Sequence, residues 1–336
     1  MVRFCCLLSF LVLIGYDIGR ASTLDTVRKN DFIQCGVSQG LPGFSSPDDK
    51  SNWKGLDVDF CKAMAAAILG DATKVKYRPL SAKERFTALQ SGEIDVLSRN
   101  TTWTLTRDTS LGMDFIGPIY YDGQGFMVRK AKNITRAKQL NGATVCVNTG
   151  TTTELNLADY FRAQKMKYKI VAFEKTDEVL AAYDAGRCDA YTTDQSGLFS
   201  ERNKLKVPND HLILPDVISK EPLGPAVRHG DNQWGDIARW TLFAMLEAEE
   251  LGVTSANVDE SKKDPNPSIR RLLGLEGDMG KALGVSNEWV FNIIKQVGNY
   301  GEVFERNLGA ATPLKIARGQ NALWKNGGLQ YAMPIR

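Results

Sequence analysis

The sequence of 336 residues predicts an α/β protein of two lobes, in which helices cover largely parallel sheets. Strand-like segments alternate with helical ones, and this alternation runs in two blocks. Turn-rich junctions at residues 117–123 and 219–225 set the second block apart from the rest of the chain. The length also exceeds that of one typical domain. A chain that leaves the first lobe and later returns to it forms a hinge; the alternative is one large sheet with two ordinary loops.

The first 21 residues are typical of an export signal. Arg3 supplies the positive charge, residues 4–14 form an apolar run, and Gly19-Arg20-Ala21 resembles a cleavage end. The run is too short to span a bilayer core of about 30 Å, and the alternative is a buried N-terminal helix. We therefore expect a cleaved signal peptide at residues 1–21 and a soluble, periplasmic mature protein.

The charge balance excludes a nucleic-acid partner. Lysine and arginine number 42, aspartate and glutamate 39, so the net charge is only +3. Basic residues form no stripe interleaved with aromatic side chains. The only histidines are His211 and His229, and no cysteine or histidine spacing suits a metal. We expect a monomer without metal or cofactor.

The first block of the alternation predicts lobe 1. Its strand candidates are residues 32–37, 74–79, 94–97 and 114–116, and its helix candidates are residues 57–69 and 83–90. After the second junction, residues 226–228 would return as a strand to the same sheet, followed by a helix over 234–251. The tail from about residue 252 predicts a helical extension with helices at 269–273 and 289–305.

The second block predicts lobe 2. Its strand candidates are residues 125–128, 143–147, 169–173, 188–192 and 211–214, and its helices are residues 152–164, 177–185 and 195–203. The two junctions then divide the chain. Lobe 1 would comprise residues 22–118 with 224–336, and lobe 2 residues 119–223.

Four cysteines follow the signal segment, and an exported compartment favours disulfides. Cys35 lies on the apolar face of the first predicted strand, and Cys61 lies on the apolar face of the following helix. Both face one core, so we pair them. Cys146 and Cys188, in two strands of the second block, form the other pair. A catalytic pair of Cys146 with a histidine is the alternative.

Three polar segments, residues 100–107, 149–154 and 189–194, share one chemical logic. Each lies near the carboxyl end of a predicted strand, where open α/β sheets bind ligands. The first offers hydroxyls and a guanidinium, the second hydroxyls and free backbone N–H groups, and the third a carboxylate. A ligand with a carboxylate and an ammonium on adjacent atoms satisfies all three. That ligand is a free α-amino acid.

The first two segments supply groups for an anion. Arg107, in a predicted loop, carries a planar fork that grips a carboxylate, although a surface arginine paired with Asp108 is the alternative. Gly150 and Thr152 stand where a helix begins, and its unpaired N–H groups favour an anion. A plain helix start capped by Glu154 is the competing interpretation there.

The third segment supplies a group for a cation. Asp194 follows the carboxyl end of the strand predicted at residues 188–192, and its carboxylate suits an ammonium. Its competing role is that of N-cap for the helix over 195–203. Phe44 is predicted to form an aromatic wall over the aliphatic part of the ligand, with core packing as the alternative.

Several longer pieces of the sequence carry a family resemblance. They are residues 55–61, 92–97, 186–194, 293–302 and 313–319. With these pieces the chain resembles the periplasmic solute-binding proteins of polar-amino-acid ABC importers, in particular those of broad specificity. The resemblance implies a type II, Venus-flytrap periplasmic-binding-protein fold, with hinged lobes and a helical C-terminal extension. It also implies capture of free L-amino acids and their delivery to an inner-membrane ABC permease.

The same resemblance implies roles for site residues. Arg107 would bind the α-carboxylate, helped by Thr102 and Thr152, and Asp194 would bind the α-ammonium. Asn100 stands where relatives often have a serine.

Two further positions bear on the ligand side chain. Phe44 matches the first-lobe aromatic of the family. Relatives specialised for acidic ligands carry an extra arginine near position 38, which is Ser38 here.

Two other functions fit the same fold. An exported enzyme like the cyclohexadienyl dehydratases needs a general acid, and Glu154 is the only glutamate in the three polar segments. A sensor domain is the second alternative, although such domains are usually fused to membrane helices.

Overall fold

The computed structural model describes residues 22–336, so the predicted signal peptide lies outside the described residues. The strands run in the order β1 Ile33–Val37, β2 Ser46–Pro47, β3 Trp53–Lys54, β4 Val75–Pro79, β5 Val96–Leu97, β6 Met113–Phe115, β7 Tyr120–Asp122, β8 Gln124–Arg129, β9 Thr144–Asn148, β10 Lys169–Phe173, β11 Ala190–Asp194, β12 His211–Ile213, β13 Glu221–Leu223 and β14 Ala226–Arg228.

The α-helices are interspersed with these strands, and six of them follow the last strand, β14. They are α1 Thr23–Asn30, α2 Leu56–Leu69, α3 Glu84–Ser91, α4 Leu105–Thr109, α5 Thr152–Ala163, α6 Thr176–Asp184, α7 Gln195–Arg202, α8 Asn232–Glu250, α9 Val258–Ser261, α10 Pro267–Leu272, α11 Met279–Leu283, α12 Trp289–Gln296 and α13 Tyr300–Asn307.

Two five-stranded sheets form the cores of the two lobes. The first has the order β4-β1-β5-β14-β6, and the second the order β10-β9-β11-β8-β12. In the first sheet β1 is parallel to β4 and β5, whereas the returning strand β14 is antiparallel to β5 and β6. The predicted return of residues 226–228 to the first sheet is therefore found in the structure. Each sheet places the carboxyl ends of its parallel strands toward one edge.

The chain crosses between the lobes in two short strands that pair with each other. Strand β7 lies antiparallel to β13, with Glu221 opposite Asp122 and Leu223 opposite Tyr120. Both strands fall in segments that the sequence marks as turn-rich junctions. Because the two crossings are hydrogen-bonded to each other, they form a hinge between the sheets.

Both predicted disulfides are present. Cys35 is bonded to Cys61, and their Cα atoms are 6.3 Å apart; Cys146 is bonded to Cys188 at 5.7 Å. The first bond joins β1 to α2 in the core of lobe 1. The second joins β9 to the segment just before β11 in lobe 2. Each disulfide thus joins two elements of the same lobe, so neither disulfide restrains the hinge.

The C-terminal extension packs on lobe 1 and also contacts the hinge. Its apolar side chains share the core of α2 and α8. The Tyr300 hydroxyl donates to the carbonyl of Ile119 at 2.8 Å. The Asn321 side chain accepts from the amide of Tyr121 at 2.6 Å and donates to its carbonyl at 3.1 Å. The extension is therefore hydrogen-bonded to the crossing strand β7 and to the residue before it.

The structure corrects three expectations about helices. The predicted helix at 289–305 is two helices, because Gly298 adopts φ 92° and Asn299 starts a new helix with Glu302 in a capping box. Arg107 lies in the short helix α4 instead of a loop, because the Thr104 hydroxyl accepts from its amide. The first helix, capped by Ser22, was not predicted.

Among residues 22–336, no helix is both long and apolar enough to cross a bilayer.

Candidate functional site

A cavity of about 270 Å³ lies between the two lobes, near the lower end of the sizes usual for ligand pockets. Lobe 1 lines it with Ser38, Gln39, Gly40, Leu41, Ala82, Arg85, Arg99, Asn100 and Thr102. Lobe 2 lines it with Asn148, Thr151, Thr152, Thr153, Lys175, Thr176, Asp177, Tyr191, Thr193, Asp194, Gly197 and Glu201. Most of these side chains are polar, so the cavity suits a polar ligand.

The loop after β5 forms the lobe 1 wall, and Asp57 at the start of α2 holds it. The Asp57 carboxylate accepts from the amide of Asn100 at 3.0 Å and from the Ser98 hydroxyl at 3.5 Å. Asn100 adopts φ 30°, in the left-handed region that asparagine tolerates. Its buried Oδ1 has no hydrogen-bond partner among the described residues. The predicted residue Asn100 therefore presents a free acceptor at the cavity.

Two buried arginines that the sequence did not single out line the same wall. The Arg85 Nη1 donates to the Thr101 hydroxyl at 3.3 Å, and the Arg99 Nε donates to the carbonyl of Leu80 at 2.9 Å. The Arg85 Nε has no partner among the described residues. Burial lowers the pKa of Arg99 to about 10 and holds that of Arg85 well below its usual range. Their charges are therefore poorly compensated within the protein.

Arg107 lies behind this wall. Its guanidinium Nη1 donates to the carbonyl of Thr102 at 2.8 Å, and its plane lies over the ring of Phe86. Burial lowers its pKa to about 10, while the charges of Glu221 and Asp194 oppose that shift. Arg107 is thus close to the predicted partners Thr102 and Asp194, but it is not among the residues that line the cavity. The surface pairing with Asp108 is absent, since Arg107 is only 7% exposed.

Thr102 and Thr152, which the family resemblance assigns to the same ligand group, meet across the cleft. Their hydroxyl oxygens are 3.3 Å apart. Both also donate to Glu221 Oε2, at 2.6 Å from Thr102 and 2.9 Å from Thr152. Glu221 lies on the hinge strand β13, and its other oxygen accepts from Asn156 at 2.7 Å. This buried carboxylate therefore joins the hinge to both lobes.

The side chains at the start of α5 cap part of its first turn. The Thr151 hydroxyl accepts from the amide of Glu154 at 3.1 Å, and Glu154 Oε2 accepts from the amide of Gly150 at 2.9 Å. Glu154 therefore reaches back past the N-cap Thr151 to the residue before it, so it helps to cap the helix start without forming the capping box of the competing interpretation. Gly150 adopts φ 73° and lies near Lys83 of the other lobe, outside the cavity lining. Thr152 contacts Thr102 of lobe 1, and its neighbours Thr151 and Thr153 also line the cavity.

Asp194 lines the cavity and does not cap its helix. Its side chain makes no capping hydrogen bond, although it occupies the N-cap position of α7. Asp122 of β7 replaces it, accepting from both the amide and the hydroxyl of Ser196. Burial, with the charges of Asp122 and Glu221, raises the pKa of Asp194 well above its usual range, whereas Arg85 and Asn100 lower it. Asp194 is therefore a buried carboxylate for which a cationic ligand group would be favourable.

Glu201 is a second buried carboxylate in the cavity wall. One of its oxygens accepts from Lys204 at 3.0 Å, while Oε2 has no partner among the described residues. Burial raises its pKa to about 7, against the opposing charge of Lys204.

Phe44 is part of the lobe 1 core, as its alternative interpretation expected. It is 1% exposed and packs edge-on against Tyr120, with ring centroids 5.4 Å apart. It does not line the cavity, so the predicted aromatic wall is corrected to core packing beside the hinge.

The sequence contained usable signals for some of the missed residues. Arg85 falls at helical spacing with the buried Ala88 and Leu89, so it is a charge on an apolar helix face. Glu201 is likewise a charged residue on the buried face of α7. Glu221 gave no signal, because Lys220-Glu221-Pro222 has the composition of an exposed turn.

The buried charges are positive on the lobe 1 wall of the cavity and negative on the lobe 2 wall. Arg85 and Arg99 belong to lobe 1, with Arg107 behind them, whereas Asp194 and Glu201 belong to lobe 2. The residues 22–336 contain no cluster of side chains suited to a metal ion. Such a cavity is complementary to a ligand that carries both signs of charge.

Two hinged α/β lobes around a polar cavity define a class of ligand-binding proteins that close on their ligand. The model of the bacterial extracellular solute-binding proteins, family 3, matches residues 33–256. The chain belongs to this family.

Individual relatives are similar over nearly the whole chain. The General L-amino acid-binding periplasmic protein AapJ of Rhizobium johnstonii is 63% identical over 325 residues, 96% of this chain and 95% of the relative. The Glutamate/glutamine/aspartate/asparagine-binding protein BztA of Rhodobacter capsulatus is 56% identical over 317 residues, 94% of each chain.

A solved structure has the same fold. The ABC transporter periplasmic binding protein from Brucella ovis with glutathione bound is 62% identical and superposes with a TM-score of 0.93, covering 94% of this chain and 100% of that one. The type II, two-lobed fold expected from the sequence is therefore confirmed.

Proposed function

We propose that the chain is the periplasmic solute-binding component of an ABC importer, and that it captures free L-amino acids with broad specificity. The observation that carries this proposal is the separation of charge across the cavity. Asp194 lies on the lobe 2 wall. The positive charges of Arg85, Arg99 and Arg107, on the lobe 1 side, each interact with its carboxylate. An α-amino acid presents an ammonium and a carboxylate on adjacent atoms, so it compensates both walls at once. The names of the relatives AapJ and BztA describe ligands of this class.

The residue roles follow from the same arrangement. Asp194 binds the α-ammonium, with the free Oδ1 of Asn100 as a further acceptor. We assign the α-carboxylate to Arg107, Thr102 and Thr152: the two threonines meet across the cleft, and Arg107, which lies behind the lobe 1 wall, donates to the carbonyl of Thr102. Hydrogen bonds to charged groups contribute about 1.5–3 kcal/mol each. Because these contacts involve only the ligand backbone, they permit broad specificity.

Closure couples binding to transport. Lobe 1, residues 22–118 with 224–336, supplies Arg107 and Thr102, whereas lobe 2, residues 119–223, supplies Thr152 and Asp194. A ligand that touches both lobes favours the shut state by its difference in affinity for the open and shut states. The shut, loaded protein is the form that the inner-membrane permease recognises. Residues 1–21 direct export and are removed.

Two alternatives to this function are a peptide ligand and an enzymatic activity. The structure of the Brucella ovis relative carries glutathione, so a short peptide with several charged groups is a second candidate ligand. The dehydratase alternative gave the role of general acid to Glu154, but Glu154 accepts from the amide of Gly150 and does not line the cavity. The carboxyls that do line it with raised pKa values are Asp194 and Glu201, so an enzyme would have to use one of these. Turnover of prephenate by the purified protein would establish the enzymatic alternative.

The ligand class is tested by a thermal-shift panel of the twenty L-amino acids, their D-forms, glutathione and common sugars. We expect many L-amino acids to raise the melting temperature, because binding to the folded state alone stabilises it by about 2.7 kcal/mol at a hundredfold excess over Kd. Sugars should produce no shift. A panel in which only sugars or only glutathione stabilise the protein would contradict the proposed function.

A further inference from the structure

The structure places a second carboxylate at the cavity, two helical turns beyond Asp194. Asp194, Gly197 and Glu201 follow one another at helical spacing along α7, and all three line the cavity. Seven residues of helix correspond to a rise of about 10 Å. Asp194 and Glu201 are therefore two separate acceptors on the same helix face. Gly197 lies between them without a side chain, so the space between the carboxylates stays open.

Glu201 has an unused hydrogen-bonding oxygen. Its side chain is fully buried, and Lys204 donates to Oε1 at 3.0 Å. Its Oε2 has no partner among the described residues. A buried acceptor left without a donor is unfavourable. Glu201 Oε2 can therefore accept one hydrogen bond from a ligand.

Cross-cleft contacts enclose this end of the cavity. Lys204 donates to the carbonyl of Gly40 in lobe 1 at 2.7 Å, and the Ser200 hydroxyl donates to the carbonyl of Pro42 at 2.6 Å. Gly40 is itself part of the cavity lining, whereas the basic residue Lys175 on the rim is exposed. A ligand group that reaches Glu201 is thus shielded from solvent when the lobes meet.

We propose that Glu201 is a specificity-determining residue, which binds a nitrogen donor at the far end of a long ligand side chain. The inference rests on the proposed function, since it assumes that the ligand ammonium lies at Asp194. An ammonium or guanidinium at the end of an extended aliphatic chain supplies the missing donor. The protein therefore binds cationic amino acids of the lysine and arginine type more tightly than aliphatic ones of similar length.

The inference is tested by calorimetric titration with L-lysine, L-norleucine and L-alanine. Norleucine has the same carbon chain as lysine and lacks only the terminal ammonium. In the wild type we expect lysine to bind at least tenfold more tightly than norleucine. In Glu201→Gln we expect this preference to fall to threefold or less, with alanine affinity unchanged within twofold. Glu178→Gln, an exposed carboxylate at the start of α6, is the matched control and should keep the preference.

The outcomes separate the two proposals. If wild-type protein binds alanine but binds lysine no better than norleucine, the role of Glu201 is contradicted while the proposed function stands. Equal losses of lysine and norleucine affinity in Glu201→Gln also contradict it. If no amino acid binds the wild type, the proposed function itself fails. The wild-type comparison can contradict the proposal even where the variant does not fold.

Discussion

At the scale of single residues, the exchange of roles between Asp122 and Asp194 explains how the site is made. Local sequence alone favours Asp194 as an N-cap. Asp122, distant in sequence, accepts from Ser196 in its place, so the Asp194 carboxylate is free to face the cavity. Sequence reasoning identified Asp194 by its residue type and position after a strand. It did not identify the substitute cap, because that depends on a contact 74 residues apart.

Asp57, which holds the lobe 1 loop, gives a prediction about pH. Burial raises its pKa from 3.8 to about 6, although the amide of Asn100 and the charge of Arg99 oppose the shift. Between about pH 4 and pH 6 the folded state keeps a proton that the unfolded chain has released. The contribution of this group to stability is therefore present at low pH and lost as the pH rises through that window.

Replacing Asp57 by asparagine removes this titration and keeps an acceptor for the amide of Asn100. We expect the free energy of unfolding of Asp57→Asn, relative to wild type, to rise by up to about 3 kcal/mol between pH 4 and pH 7, since one pKa unit corresponds to about 1.4 kcal/mol. Urea denaturation at several pH values measures this difference. Parallel pH profiles for the two proteins would show that Asp57 does not titrate as described.

At the scale of elements, the alternation of strands and helices was predictable because it follows hydrophobic periodicity. Strand β10 was predicted at its observed bounds, and most other boundaries were within one or two residues. The short helix α4 was missed, because five residues are too few to show a period. The break after α12 left a local signal in Gly298 and in the pair Asn299 and Glu302, which the continuous apolar pattern obscured.

The capping box of α13 gives a prediction about stability. The Asn299 side chain accepts from the amide of Glu302 at 2.9 Å and donates to the carbonyl of Val253 at 2.9 Å. We expect Asn299→Ala to lower the free energy of unfolding by about 1–2 kcal/mol, measured by urea denaturation. Asn292→Ala, within α12, is the control and should change stability by less than about 0.5 kcal/mol. Equal effects of the two substitutions would contradict this role of the cap.

At the scale of the whole molecule, the lobes meet through polar contacts around the cavity. Ser81 of lobe 1 donates to Glu174 of lobe 2 at 3.1 Å, and Thr102 meets Thr152 near the hinge. The two-lobed architecture was predictable from the two turn-rich junctions. The composition of the cavity was only partly predictable. Arg85 and Glu201 line it, and Glu221 bonds to the lining residues Thr102 and Thr152, through packing of the lobes rather than through any local motif.

The account depends most directly on Asp194 as the acceptor for a ligand ammonium. The test is calorimetric titration of wild type and Asp194→Asn with the L-amino acid that gives the largest thermal shift, with the exposed Asp159→Asn as control. Loss of a charged hydrogen bond worth about 1.5–3 kcal/mol predicts an affinity about 10–150-fold weaker in Asp194→Asn, and no change in Asp159→Asn. Wild-type affinity in Asp194→Asn would contradict the account.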